Sequence, residues 1–87
     1  MALHDAMQEL LVLTMEECGE LIQECSKSLR KDNYLQNKNL KDELGDVYAM
    51  IELMHEFDIV SWKEIEERVK VKREKLKKWS RLIGDKS

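Results

Sequence analysis

Three stretches of this chain repeat apolar residues at intervals of three and then four, and almost nowhere do apolar and polar residues simply alternate. That spacing places side chains on one face of an α-helix. The first stripe reads Leu3, Met7, Leu10, Thr14, Glu17, Leu21, and the second reads Leu40, Glu43, Val47, Met50, Met54, Phe57. The third reads Ile65, Val69, Lys72, Leu76, Trp79, Ile83. Helices are therefore expected over about 4–31, 39–57 and 61–83. The chain has no proline and only three glycines, which leaves little to break them. "KDNYLQNKN" from Lys31 to Asn39 is the first connection, and "FDIVSWKE" is the second. Ser61 with Glu64 has the spacing of a capping box, and Gly84 that of a helix stop.

Eighty-seven residues suffice for one domain, and a chain this short buries only about 60% of the surface it exposes when unfolded. The expected fold is all-α, a short bundle of three main helices that completes its core and its active site by oligomerisation. Net charge is -3 and the sequence pI is near 5.4, which supplies no general attraction for a phosphate backbone. Nucleic acid is not an expected partner. The basic run "KVKREKLKK" follows the acidic "EIEER" and reads first as a solvated helix face. No apolar run reaches the ~18 residues of a membrane span, and no leader pattern opens the chain. Cys18 and Cys25 are separated by ~10 Å of helical rise, too far for a bond within the chain. Both read as small buried apolar residues in a reducing, cytoplasmic setting.

Two of the stripes are interrupted by a glutamate, Glu17 in the first and Glu43 in the second. Each has an acid three residues on, Glu20 and Asp46, about 60° further round the helix. Glu24 extends the first pair by one turn. A single glutamate on a helix is ordinarily a solvated surface residue. Two interrupted stripes, each with an i+3 partner, suggest instead four carboxylates converging at the edge of a buried face. Their mutual repulsion calls for a cation, and an all-oxygen donor set favours a hard one, Mg²⁺ or Mn²⁺. Magnesium held in this way commonly shares its remaining positions with water or phosphate oxygens.

These residues carry a resemblance. "EECGE" matches an EExxE motif and "ELGD" an ExxD motif, with 22 residues between them. The pair resembles the all-α nucleoside triphosphate pyrophosphatase superfamily, and "ELGDVYAMI" is most similar to its MazG-like branch. The likeness covers roughly Met7 to Phe57. It implies one MazG-like domain over 1–87, hydrolysing a (d)NTP to the monophosphate and pyrophosphate. It also implies metal held by Glu17, Glu20, Glu43 and Asp46, in a homotetramer (a dimer of dimers) or a homodimer. Glu16 or Glu20 would take the proton of the attacking water. The third helix departs from the MazG-like pattern, having Trp79 and many lysines but no asparagine. Lys72, which stands where its stripe calls for a core residue, is the first candidate for the substrate phosphates, with Lys75 and Lys27 behind it. The simpler readings are a snorkelling Lys72 and a Lys27 paired with Glu24.

Two alternatives stand beside this reading. Phosphoribosyl-ATP pyrophosphatase shares the acid pattern, although "ELGD" and the lysine-rich third helix lean away from it. A non-enzymatic helical module for oligomerisation or partner binding would carry the acids on its exterior. Trp62 and Trp79 read as core or interface residues, and the methionines as core filling. Gly45 between Glu43 and Asp46 suggests close helix packing or access for metal and phosphate.

Overall fold

The structure, a computed structural model, describes residues 2–83, so Gly84 lies outside the described residues. Three α-helices and no strand occur among them: α1 Leu3–Lys31, α2 Lys38–Glu56 and α3 Trp62–Trp79. The third helix ends four residues before the expected Ile83. There Ser80 turns extended, its N–H still donating to Leu76 O, and its Oγ accepts from Leu82 N. None of the helices is long and apolar enough to cross a membrane.

The helix ends follow from local chemistry. Asp32 closes α1 in the left-handed region at φ 53°, with its N–H donating to Ser28 O. Asp58, at φ 62°, does the same after α2 and donates to His55 O. Aspartate tolerates that conformation better than most side chains. Asn37 caps α2, its side chain accepting from Leu40 N at 3.1 Å. Ser61 and Glu64 form the capping box of α3, each side chain bonded to the other's backbone N–H.

Helices α1 and α2 form an antiparallel hairpin. At its closed end Asn37 reaches Ser28 and Glu24, in the middle Glu17 meets Glu43 and Asp46, and at the open end Leu10 and Leu13 lie near Leu53 and Phe57. Leu10, 4% exposed, is the one buried apolar side chain among the described residues. The α2 stripe from Leu40 to Phe57 is half-buried throughout. Helix α3 is tied to the hairpin by its first residue, as Trp62 stacks on His55 at 5.0 Å and on Tyr48 at 6.2 Å between ring centroids. Beyond that stack Val69, Val71 and Trp79 are exposed. The radius of gyration is 15.9 Å, against about 12 Å for a compact domain of this length. The chain is a flat hairpin with an arm, measuring 52 × 31 × 16 Å.

Several residues expected inside lie outside. Leu3, Met15 and both cysteines are exposed, because no second helix crosses the faces of α1 that carry them. Gly45 meets nothing, since a Cβ built there has no neighbour within 4 Å. Close packing within the chain is therefore not what that glycine serves.

Candidate metal centre

Glu17 and Glu43 face one another because each occupies an inward position of its stripe, and the antiparallel hairpin brings those positions level. Asp46, one turn after Glu43, lies at the edge of the same seam. One carboxylate oxygen from each of the three lies within 4.8 Å of the others. Glu17 and Glu43 are half-buried and Asp46 is exposed, so the group opens to solvent on one side.

Two oxygens in this group, Glu17 Oε2 and Glu43 Oε2, are shielded from solvent and have no hydrogen-bond partner. A buried acceptor without a donor is costly, and more so when it is charged. The electrostatics answer in part. Glu43 is pushed up to about 7, first by desolvation and then by the nearby Glu20 and Glu17 carboxylates. Glu17 is raised as well, by desolvation and then by the charge of Glu20. Two ionised carboxylates cannot hydrogen-bond to each other. When Glu43 takes a proton it becomes a donor, and the contact with Glu17 or Glu20 turns from repulsive to bonded. A divalent cation would satisfy the same oxygens without a proton. The donor set is all carboxylate, which suits magnesium or manganese.

Glu20 is exposed and adjoins Glu43, whose acidity it suppresses. Glu16 is exposed and stands outside the group of three. Lys27 bonds to Glu24 Oε2 at 3.3 Å. Lys72 is exposed on α3, where it lines a groove with Val60, Ile65 and Val69, and Lys75 lies exposed further along the same helix. Among the described residues the lysines that form ion pairs do so with Glu24, Asp42 and Glu74, none of which belongs to the carboxylate group.

The feature that sequence reasoning missed is the bracket that sets the hairpin's register. Ser28 and Asn37, both buried, are joined by a 2.7 Å bond from Asn37 Nδ2 to Ser28 Oγ. The asparagine signalled a turn, but its partner nine residues earlier left no mark in the local pattern.

Comparison of the chain with known protein families, with curated proteins and with solved structures returns no match. The resemblance to the pyrophosphatase superfamily rests on the two acidic motifs alone.

Proposed function

We propose that this chain is a magnesium-dependent nucleoside triphosphate pyrophosphohydrolase of the MazG-like kind, converting a (d)NTP to the (d)NMP and pyrophosphate. The observation that carries the reading is the meeting of Glu17, Glu43 and Asp46 across the α1–α2 seam, with two shielded oxygens left unpartnered. Such an arrangement is unfavourable for a protein with nothing to bind there.

In this reading Glu17, Glu43 and Asp46 hold the metal, with Glu20 beside them. When bound, magnesium would supply positive charge for the triphosphate oxygens and acidify water. Glu20 or Glu16 would accept the proton of the water that cleaves the α–β anhydride, and the elements of that water would be divided between the two products. Glu20 is the better placed, because its carboxylate already lies against Glu43. Lys72, with Lys75, would oppose the phosphate charge that the metal leaves uncovered. Helix α3 meets its own hairpin through Trp62, and in a homodimer or dimer of dimers these lysines would serve the site of a neighbouring copy. Lys27, already paired with Glu24, is the weakest of the three candidates. Phosphoribosyl-ATP remains the alternative substrate.

A second reading, a helical module that binds a partner without chemistry, draws on the extent of exposed apolar surface on α1 and α3. The two separate in one experiment. Pyrophosphate release is measured over a panel of ribo- and deoxynucleoside triphosphates and phosphoribosyl-ATP, with and without Mg²⁺. The pyrophosphohydrolase reading requires metal-dependent release that Glu43→Gln and Asp46→Asn abolish while helical circular dichroism persists. Release from no substrate, or full activity in both variants, refutes it.

A further inference from the structure

Helix α1 carries a second apolar stripe that is left exposed among the described residues. Leu11, Met15, Cys18, Ile22, Cys25 and Leu29 follow one another at intervals of four, three, four, three and four. At 100° per residue they form a band centred about 100° round the helix from Leu10, away from the face that packs on α2. The four largest, Leu11, Met15, Ile22 and Leu29, are between 50% and 71% exposed, and both cysteines are exposed too. The band is ~27 Å long.

A seam of this period is what a second helix fits. Alternating steps of three and four average 3.5 residues, the repeat at which two helices interlock side chains over many turns. A second observation on the same band concerns Gly19. Glycine in the middle of a helix weakens it relative to alanine. Within the chain nothing uses the missing side chain, since a Cβ there would meet no atom within 4 Å. Gly19 and Ser26 border the seam on one side, so a neighbouring backbone can come close.

The charge pattern says which helix. Between Gln8 and Leu29 every charged side chain of α1 (Glu9, Glu16, Glu17, Glu20, Glu24 and Lys27) falls on the opposite side of the helix from the seam. Two copies of this face can meet without opposing like charges. The ends differ in sign, with Asp5 and Glu9 at the start of α1 and Arg30 and Lys31 in its last turn. A parallel pair would place like ends together. An antiparallel pair centred on position 20 brings the acidic start of each α1 to the basic end of its partner and opposes the two helix dipoles. It also matches the seam to itself, Leu11 against the partner's Leu29, Met15 against Cys25, and Cys18 against Ile22.

We infer that two copies of this chain associate through α1, antiparallel, along the Leu11 to Leu29 seam. The inference goes beyond the nucleotide chemistry and does not depend on it. The α2 face of α1 lies about 100° away, so each copy keeps its carboxylate group outside the seam.

The test reads mass and crosslinks, so inactivity toward nucleotides leaves it intact. Sedimentation or light scattering at micromolar concentration should give an even multiple of the 10.3 kDa chain. Ile22→Glu should halve that mass with helical circular dichroism retained. Mild oxidation with diamide should leave the parent uncrosslinked, because each cysteine faces an apolar side chain of the partner. Met15→Cys combined with Cys18→Ser should give a covalent dimer through a bond between position 15 and the partner's Cys25, identified by peptide mapping. A parent of one chain's mass overturns the inference. So does an unchanged mass in Ile22→Glu, crosslinking of the parent through Cys18 to Cys18, or failure of the double variant to crosslink.

Discussion

Replacing Asn37 tests how the hairpin is held in register. Its side chain works at both ends. Oδ1 accepts from Leu40 N at 3.1 Å, and Nδ2 donates to Ser28 Oγ at 2.7 Å. Longer approaches to Glu24 Oε1 at 3.4 Å and Glu24 O at 3.5 Å add little. Losing an asparagine cap costs about 1 kcal/mol. Losing a buried neutral hydrogen bond costs about another 1 kcal/mol, and more if Ser28 Oγ, on a residue 2% exposed, then lacks a partner. Asn37→Ala should therefore destabilise the fold by about 2–3 kcal/mol, a fall of very roughly 10–20 °C in melting temperature for a domain of this size.

Asn37→Ser separates the two contributions, since serine caps well but is too short to reach Ser28. It should recover about 1 kcal/mol of the loss. The assay is urea denaturation followed by circular dichroism at fixed protein concentration, because association also shifts the apparent midpoint. An Asn37→Ala variant within about 0.5 kcal/mol of the parent would show that the bracket does not hold the hairpin together.

Three further outcomes are expected. Glu43 is raised from 4.5 to about 7, so the advantage of its protonated form is complete below about 4.5 and is lost as pH rises through 7. Melting temperature without metal should fall across that window, and Glu43→Gln should flatten this part of the profile. In the presence of EDTA or saturating Mg²⁺ the parent should melt at different temperatures, a site filled at about 100 times its dissociation constant adding ~2.7 kcal/mol. Equal midpoints at a concentration shown to saturate would refute a shared metal site. Lys72→Met keeps the bulk of the stem and removes the charge, so it should lower turnover or raise the Michaelis constant without lowering melting temperature. Parental activity at subsaturating nucleotide would make Lys72 a solvated surface residue.

The three helices were legible because helix formation is local: the stripes, the capping box at Ser61 and the absence of proline all lie within a few residues of what they determine. The facing of Glu17 and Glu43 was half legible. Their inward positions could be read from spacing, whereas their distance depends on the register set by Asn37 and Ser28. Burial was least legible. Cys18, Cys25 and Met15 have residue types that favour an interior, yet exposure depends on whether another helix arrives. Along α1 two stripes of nearly the same spacing run about 100° apart, one from Leu3 and one from Leu11, and periodicity does not rank them. Only the position of α2 shows which stripe is used within the chain.

That division of α1 bears on how an acidic site persists here. Glu17 and Glu43 occupy positions where leucine would pack better, and their lowered acidities, caused first by desolvation and then by neighbouring carboxylates, reflect the cost of gathering acids in a partly dry seam. The hairpin tolerates them because it is fixed on both sides of the pair, by the Asn37–Ser28 bracket at its closed end and by Leu10, Leu53 and Phe57 towards its open end. The repulsion is confined to a segment that cannot part without breaking one of these clamps. An α1 seam between two copies would stiffen the same helix from outside without touching the carboxylates. The residues that stabilise the hairpin and those that would bind metal are thus distinct along the same two helices. If the proposed metal binds, its affinity would be tunable at the exposed Asp46 and at the neighbouring exposed Glu20 with little consequence for the fold.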